Sequence, residues 1–529
     1  MIWAPNCSFG IFALPATVCA AIENINPLHL LALASVLIAC ISHTVLRYIR
    51  LKRQRAVFKQ QHGCKPAAST FPNRDPFGLT FTYNFLVAAK QARAMEWQHN
   101  WFQQLGPTFV NQTWRGVTAV WTNDPVNVRL LLTDIDRFLI EPSRHGPFKH
   151  LLGKGIFTTD GAFWKHSRNL LRPQFETNQF KDFGQFEHLV QKLLVHLQDE
   201  GSTVDLQPLF NRFTMDASTW FLTGTCANSL DTDGQAERAR RFVREFDYSM
   251  DDAILQARLG WMYHLVPHPE ARRANRACRD YIGSFVATAV ENRSKESKAP
   301  SHLPRYTFVT ELANHTELDE VRIRDEACNI LLAGRDTTAS LLTHMWFHLA
   351  RRPLVWKTLQ AEVDELDGRI PTHKELQGMK YLDYCAKEAL RLHPAVPILS
   401  KYPASDTYLP RGGGPDGREP LFVPKAIPVF YNSYSMQRSK QVFGEDADVF
   451  RPERWADESF KPGDSYIPFG LGPRLCLGQR YALSEASYAT VRMMQNFRRI
   501  ESRDPGPWQE KLNASMSSRN GAKVALWKD

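Results

Sequence analysis

The sequence predicts one transmembrane helix followed by one large, mainly helical domain. Residues 28–46 (LHLLALASVLIACISHTVL) contain no Asp, Glu, Lys or Arg. Helical periodicity runs from Asp319 to Arg351, and a second helical stretch (QRYALSEASYATVRMMQNF) follows Gly478. No Ser/Gly-rich linker, repeat or low-complexity tract divides the 529-residue chain after about Phe71. These observations favour a single domain behind a single anchor.

The composition argues against several classes of protein. Hydrophobic residues make up 43% and charged residues 23% of the chain, which is ordinary for a globular protein. The 9 cysteines form no CxxC pair and lie beside no histidine cluster, so we expect neither a disulfide framework nor a zinc site, and a reducing compartment. The net charge of +10 comes from scattered Lys and Arg. It predicts a preference for acidic partners and no nucleic-acid surface.

Residues 28–46 fit a membrane anchor. At about 1.5 Å per residue they nearly span a hydrocarbon core of roughly 30 Å, and Pro27 suits the first helical turn. A core helix is rarely so uniformly apolar, and a signal peptide carries its charges before the apolar run. Here the positive charges follow it, which predicts a cytoplasmic flank and a lumenal segment at 1–27. They are Arg47, Arg50, Lys52, Arg53 and Arg55.

The stretch after the anchor predicts a connector. Residues 47–77 combine these basic residues with a Pro-containing segment, CKPAASTFPNRDPF, that has neither helical nor strand periodicity. We therefore expect a stiff linker over 47–77 and a catalytic domain over 78–529.

A glycine-rich loop surrounds the last cysteine of the chain. Residues 469–478 read FGLGPRLCLG, which fits the pattern F-x-x-G-x-R-x-C-x-G at every fixed position. Glycines allow sharp turns and close approach of the backbone to a ligand, and the N-terminus of the next helix can stabilise a thiolate at Cys476. A lone cysteine is usually structural, but five matched positions favour a ligand.

This loop resembles that of the cytochrome P-450 superfamily of haem-thiolate monooxygenases. The resemblance implies a fold that is mainly α with smaller β-sheets (α+β). It implies haem b as cofactor, with Cys476 as the axial thiolate ligand of the iron. A thiolate pushes electron density onto iron and favours O–O cleavage. Phe469 and Gly478 would shape the binding loop, and Arg474 would meet a haem propionate through charge-assisted hydrogen bonds.

A second motif lies in the predicted helix over 319–351, for which we expect Thr316 as N-cap. Residues 333–338 read AGRDTT, which matches the family pattern A-G-x-D/E-T-T. Thr337 can bond a carbonyl one turn back, so we expect a local opening of the helix there. The family resemblance implies that Asp336 relays protons from solvent and that Thr337 hydrogen-bonds the oxygen. Taken alone, the motif also fits a solvent-facing kink.

Three further residues match a structural signature of the family. Glu388 and Arg391 lie three apart on a helix that ends before Pro394, so they share a face. Arg454, in FRPERW, completes what the family uses as a Glu-Arg-Arg network in the haem-side core. We assign these residues a folding role.

A helix that contacts haem propionates is implied by Trp164 and Arg168, which match the W-x-x-x-R pattern of the family. One position departs from the family. The arginine expected in the strand after Pro394 is replaced by Lys401, which supplies charge without the planar fork of a guanidinium.

Two stretches narrow the substrate class. GKGIFTTDGAFWKHSRNLLRPQF and LPRGGGPDG resemble the fungal group that hydroxylates alkanes and fatty acids. Three segments are expected to line the pocket, and they mix apolar residues with charges: 137–155, 250–267 and 394–402. A tailoring oxidase acting on a polyketide or terpenoid stays open as the alternative. A haem-thiolate sensor, electron carrier, isomerase or dehydratase is disfavoured by the pair Asp336–Thr337.

The remaining expectations concern partners and location. The only Gly-dense stretch, RGGGPDG at 411–417, lacks the spacing and context of a dinucleotide site. Electrons should therefore come from a separate NADPH-cytochrome P-450 reductase, with cytochrome b5 as a possible second donor. We expect an apolar small-molecule substrate, the lipid bilayer as a partner and no nucleic acid. The resemblance and the anchor together imply the endoplasmic reticulum membrane, with a single pass and a cytoplasmic catalytic domain.

Overall fold

A computed structural model describes residues 27–113, 116–175, 183–231, 237–294 and 307–528. The chain divides into two compact units, Met1–Cys64 and Lys65–Asp529. The segment expected to be lumenal, 1–27, lies outside the described residues except for Pro27.

The first unit is built on one helix, α1 (Pro27–Gln61). Within the described ranges, this is the one helix long and apolar enough to cross a membrane, and its candidate span is Leu31–Gln61. The predicted linker is wrong in its first half, because residues 47–61 continue this helix. Arg, Lys and Gln are good helix formers, so the basic flank extends the helix that the apolar run begins.

The second half of the predicted linker belongs to the second unit, which begins at Lys65 and not at residue 78. Ala67 and Thr70 form isolated β-bridges with Gly413 and Val110, and Phe71 is buried. An extended segment without periodicity keeps its backbone groups free, and these pair here with neighbouring strands.

Helices form most of the second unit. They are α2 (Leu79–Lys90), α3 (Ala94–Leu105), α4 (Pro125–Thr133), α5 (Glu141–Leu152), α6 (Gly161–Leu171), α7 (Gly184–Val195), α8 (Leu206–Thr223), α9 (Glu237–Leu259), α10 (Pro269–Ser294), α11 (Phe308–Ala313), α12 (Glu320–Leu349), α13 (Pro353–Asp364), α14 (His373–Gly378), α15 (Lys380–Leu392), α16 (Ser433–Met436), α17 (Lys440–Phe443) and α18 (Gln479–Asn496).

Four small sheets complete the described part of this unit. A five-stranded sheet has the order β1 (Thr108–Thr113), β2 (Gly116–Thr122), β8 (Val429–Asn432), β5 (Ile398–Pro403), β3 (Phe138–Leu139). In it β2 and β8 are parallel and the other pairs are antiparallel. The others, all antiparallel, are β4 (Val204–Asp205) with β12 (Lys523–Trp527) and β9 (Arg499–Ser502), β6 (Thr407–Gly413) with β7 (Glu419–Val423), and β10 (Glu510–Leu512) with β11 (Met516–Ser518).

The expected mainly α fold with smaller sheets is confirmed, and α12 lies at its centre. From Ile323 to Leu349 most of the side chains of α12 are buried. It packs along α8, where a Cβ on Gly334 would lie 2.9 Å from Ser218 Oγ. Only glycine allows the two helices to approach this closely without displacing a side chain.

The ends and the middle of α12 differ in detail from the prediction. Asp319, not Thr316, is the N-cap, because its carboxylate accepts a hydrogen bond from the Arg322 N–H. The helix ends at Leu349, two residues before the predicted end. The expected local opening at Thr337 is wrong, since 320–349 form one uninterrupted α-helix.

A chain beginning at Lys65 should fold without the first unit, because the buried core lies within the second unit. We expect its thermal unfolding midpoint to equal that of the full chain, while recovery in the membrane fraction after an alkaline carbonate wash falls sharply. A truncated chain that loses its cooperative transition would show that α1 is part of the fold.

Candidate active site

The loop around Cys476 turns sharply under steric constraint. Gly470 and Gly472 have φ values of +79° and +72°. A Cβ on Gly472 would also lie 2.7 Å from the Leu132 carbonyl oxygen, so this position excludes every other residue. The Cys476 N–H donates to the Phe469 carbonyl at 3.0 Å and closes the loop. Residue Gly478 then forms the N-cap of α18.

Cys476 keeps solvent-accessible surface, although many protein atoms surround its thiol. Burial raises the pKa of the Cys476 thiol, while the Gly478 N–H and the Arg168 guanidinium lower it. The protein alone therefore disfavours the thiolate, and a bound metal ion supplies the charge that makes it the stable form.

Three cationic side chains gather near the start of α6. Arg474 donates to Asp160 at 2.6 Å and to the Thr159 carbonyl at 2.9 Å, with its guanidinium 4.2 Å from the Trp164 ring. Burial lowers the pKa of Arg474 to about 10. Burial, followed by the charges of Arg144 and Arg474, lowers the pKa of Lys401 to about 7.

This cluster is short of negative charge. The charges of Arg144 and Arg474 lower the pKa of Lys401, the charge of Arg144 lowers that of Arg474, and Asp160 is the carboxylate that acts on all three. Within the described residues, Arg474 Nε is buried without a hydrogen-bond partner. Burying unmatched charge is costly, so the cluster suits a ligand that brings about two negative charges.

Trp164 and Arg168 lie beside this cluster, on α6. Trp164 is buried, and the Arg168 guanidinium carbon lies 5.8 Å from its ring. Arg168 also donates to the Leu475 carbonyl at 3.0 Å, next to the cysteine. The motif residues of α6 and of the cysteine loop are therefore brought together.

The AGRDTT motif lies in the middle of α12. Ala333 is exposed although most residues around it in the helix are buried. Thr337 Oγ1 donates to the Ala333 carbonyl at 2.7 Å, which is the backward bond that the sequence predicts. This bond orients the hydroxyl without breaking the helix.

The Asp336 carboxylate is coupled to a buried arginine. Arg335 Nη1 lies 3.4 Å from Asp336 and also pairs with Asp247 of α9. Burial raises the pKa of Asp336, the Arg335 charge lowers it, and Asp247 and Asp251 raise it further. A carboxyl with a raised pKa exchanges protons closer to neutral pH than a free one does.

The Glu388 carboxylate joins the predicted structural residues in one network. It accepts from Arg391 at 2.8 and 2.9 Å and from Arg454 at 2.9 Å. Trp455 Nε1 donates to it at 3.0 Å. The two arginines also bond carbonyls of 443–449, so the network fixes the chain that leads to the cysteine loop.

Comparisons with known proteins agree with this geometry. The family model named Cytochrome P450 matches residues 74–524. The chain belongs to the cytochrome P450 family. It is 41% identical over 91% of its length to a cytochrome P450 monooxygenase, fsdH, of Fusarium heterosporum, covering 86% of that protein. The P450 monooxygenase himC of Aspergillus japonicus is 41% identical over 89% of this chain and 86% of its own. Cytochrome P450 52A13 of Debaryomyces hansenii is 36% identical over 90% and 95%.

The chain is thus a P450 monooxygenase with haem b as cofactor. Its residues fit that group: the accessible Cys476 thiol suits the iron, and the unmatched cations suit the two propionates. Among the described residues no cluster of three or more His, Cys, Asp and Glu could hold another metal ion.

Two residues at this cluster, the cation Arg144 and its carboxylate partner Asp160, were not predicted from the sequence. Arg144 lies within a segment assigned to the pocket, but no local motif marks it as a cofactor residue. Asp160 directly precedes α6, and the pattern Asp-Gly before a Trp-containing helix is a signal that could have drawn attention to it. Its carboxylate also accepts from the Ile140 and Glu141 N–H groups, at 2.9 and 2.7 Å.

Lys401 should make haem affinity depend on pH. Its pKa of about 7 leaves it largely neutral above that pH. A propionate nearby favours the ammonium, so Lys401 takes up a proton on haem binding above pH 7, and its contribution to affinity falls as pH rises from there to its pKa in the complex. The Cys476 thiol loses its proton when it ligates the iron, and this contribution to affinity rises with pH over the same range. Titration of apoprotein with haem between about pH 7 and about pH 8.5 should therefore show an affinity that rises less steeply with pH than Cys476 alone would give, by at most tenfold per pH unit.

The Lys401→Arg variant is the matched control, because its guanidinium stays charged at both pH values. We expect the haem affinity of Lys401→Arg to rise with pH through Cys476 alone, more steeply than that of the wild type, and Lys401→Met to bind weakly throughout. A Lys401→Arg protein with the wild-type slope would assign the pH dependence to another group.

Proposed function

We propose that this P450 hydroxylates a long apolar chain, such as that of a fatty acid or an alkane, with O₂ and electrons from NADPH. The observation that supports this substrate class is the accessible apolar surface of α12. Ile330 and Ala333 keep accessible surface on a helix that is otherwise largely buried. Ile398, in a segment expected to line the pocket, is also only partly buried. Such surface favours an apolar substrate.

The roles of the cofactor residues follow from their positions. Haem bound at Cys476 would supply the redox chemistry that inserts oxygen into a C–H bond. Arg474, Lys401 and Arg144 would orient it through the propionates. Phe469 and Gly478 would hold the sulfur, and Trp164 and Arg168 would support the same edge from α6.

Proton delivery is assigned to two neighbours on α12. Asp336, whose pKa is raised by burial, would pass protons inwards from the side of α9. Thr337 would present its hydroxyl to the oxygen, exchanging its present bond to the Ala333 carbonyl for one to the ligand. Adjacent residues project about 100° apart on a helix, so the two side chains serve different ends of the path.

Electron supply and location complete the proposal. A separate diflavin reductase that uses NADPH would deliver electrons, with cytochrome b5 as a second donor, because the chain has no recognisable dinucleotide site. The apolar span in α1 and its basic continuation support an endoplasmic reticulum anchor with the catalytic unit in the cytosol. Protection of the catalytic unit from protease added to intact microsomes would contradict this topology.

A tailoring oxidase of fungal secondary metabolism is the second candidate. The two P450 monooxygenases fsdH and himC are 41% identical to this chain, against 36% for cytochrome P450 52A13. The segments expected to line the pocket also carry charged or polar residues such as Lys149 and His264, so a polyketide or terpenoid is kept as the alternative substrate.

Product analysis separates the two candidates. Microsomes containing the protein and its reductase are offered a fatty acid, an alkane and an apolar polyketide, with the Cys476→Ser variant as control. We expect hydroxylated fatty acid or alkane that depends on NADPH and on Cys476, together with the red-shifted Soret band of thiolate-bound haem in the reduced carbon monoxide complex. Turnover of the polyketide alone would establish the second candidate.

Removing the Thr337 hydroxyl should uncouple the reaction. Thr337→Ala keeps the buried helix and the thiolate spectrum, so NADPH consumption continues while more oxygen leaves as peroxide. Asp336→Asn should slow oxygen consumption, since an amide is a poor proton relay. Simultaneous measurement of NADPH, peroxide and product tests both. Wild-type coupling in both variants would reduce the motif to a structural role.

A further inference from the structure

Three buried histidines lie beyond the oxygen-activating motif on the same helix or against it. His344 and His348 belong to α12, and His393 directly follows α15. The His393 ring contacts the other two, with centroids 4.6 Å from His344 and 5.0 Å from His348. The Trp508 ring, from the segment before β10, lies 4.2 Å from His393 and 5.5 Å from His344. None of these residues has a role in the site described above.

The hydrogen bonds at one end fix two tautomers. Arg352 always donates, so His348 Nδ1, 3.0 Å away, is an acceptor and the proton of His348 lies on Nε2. That N–H points to His393 Nε2 at 2.8 Å. His393 Nε2 is therefore an acceptor, and the neutral His393 ring carries its proton on Nδ1.

The other end of the group is fixed by a serine. Ser340 Oγ donates its proton to the Met516 carbonyl at 2.6 Å. It can then only accept from His344 Nδ1, at 3.3 Å, which places the proton of His344 on Nδ1 and leaves Nε2 as an acceptor. There are thus two series of hydrogen bonds, one from Arg352 through His348 to His393 and one from His344 through Ser340 to Met516. In both series, which we call the half-chains, every donor points from the Arg352 side towards the Met516 side.

Between the two half-chains lie three complementary atoms. In the part of the chain that the structure describes, His393 Nδ1, His344 Nε2 and Trp508 Nε1 are buried without hydrogen-bond partners. Two of them are donors and one is an acceptor, and their rings are mutual neighbours. One water molecule accepts from both N–H groups and donates to His344 Nε2, which is the number of bonds that a buried water typically makes.

The surroundings keep the three rings neutral. Burial lowers the pKa of His344 to about 3. Burial and positive charges lower the pKa of the other two well below the ordinary value. The cations acting on His348 and His393 come from the turn after α12, from α15 and from the segment after α16: Arg351, Arg352, Arg391 and Arg438. The tautomers deduced above therefore persist across the working range of pH.

The Met516 end of the chain lies near the oxygen-activating motif. Ser340 follows Thr337 by three residues, or about one helical turn. The Met516 N–H donates to the Ala395 carbonyl at 2.7 Å, just before the strand β5 that carries Lys401. The hairpin β10–β11 is thus attached on one side to α12 and on the other to the approach to β5.

We propose that one buried water joins His393, Trp508 and His344, and that the completed chain from Arg352 to Met516 holds the β10–β11 hairpin over the substrate side of α12. Ser340 and His344 are then positioning residues that set which carbon of the substrate approaches the iron. The last step rests on the proposed function, since it assumes a substrate beside α12.

The test compares hydroxyl removal on and off the chain. Ser340→Ala removes the bond to Met516. Thr343→Val, on the same buried helix, removes a hydroxyl that bonds only the Ala339 carbonyl within the helix. We expect amide hydrogen exchange in 510–518 to rise about three- to tenfold in Ser340→Ala, the range of one lost hydrogen bond, and to stay unchanged in Thr343→Val.

With a turned-over substrate, Ser340→Ala should raise KM about three- to tenfold and spread the oxidised positions, while kcat and the carbon monoxide spectrum hold. His344→Leu should do the same, and His344→Asn, which keeps a donor at the Nδ1 position, should restore most of the exchange protection.

Equal exchange in Ser340→Ala and Thr343→Val would overturn the proposal whatever the substrate is. Intact exchange effects with unchanged regioselectivity would overturn the positioning role alone. A crystal structure without density between the three rings would overturn the water.

Discussion

The unmatched positive charge beside Cys476 is the constraint on which the rest of the site depends. Arg144, Lys401 and Arg474 come from a helix, a strand and the cysteine loop, and one carboxylate, Asp160, acts on all three. Cations brought together out of water repel one another, and burial already lowers the pKa values of all three. A dianionic cofactor bound there, as proposed, would relieve this repulsion and connect the three elements. Cofactor binding would then also stabilise the packing of these elements on the haem side.

The Glu388 network differs from this cluster, because its buried charges are paired and hydrogen-bonded by protein groups alone. Its carboxylate has two guanidinium partners and an indole donor, and the guanidinium groups find backbone carbonyls for their remaining protons. Removing one partner of such a buried pair typically costs about 3–5 kcal/mol. The segment that leads to Cys476 is therefore held in place by protein groups alone, whereas the charge cluster keeps a buried donor, Arg474 Nε, without a partner among the described residues.

The sequence predicts site residues where a motif is closely spaced along the chain. Cys476, Arg474, Gly478 and the AGRDTT stretch were predicted because they match family patterns contained in one loop or one helix. Arg144 was missed because it reaches the site through tertiary packing that no local pattern records. The linker was predicted too long for a similar reason: an irregular segment looks the same in sequence whether it is free or paired with a sheet edge, as Ala67 and Thr70 are. The N-cap was misplaced because Thr316 and Asp319 are both good caps, and only the observed bond to Arg322 decides between them.

The helix α12 combines two demands that usually conflict. Its middle contains Gly334, Asp336 and Thr337, residues of low helix propensity, yet the helix remains continuous from Glu320 to Leu349. Burial of its C-terminal half supplies the stability that the middle lacks, and the histidines there are hydrogen-bonded in defined tautomers. Because one continuous helix carries Asp336 and Thr337 and also the Ser340 bond to the β10–β11 hairpin, the distance between these residues and the hairpin cannot change without bending the helix. If that hairpin holds the substrate as proposed, the backbone that orients the Thr337 hydroxyl would also position the substrate relative to it.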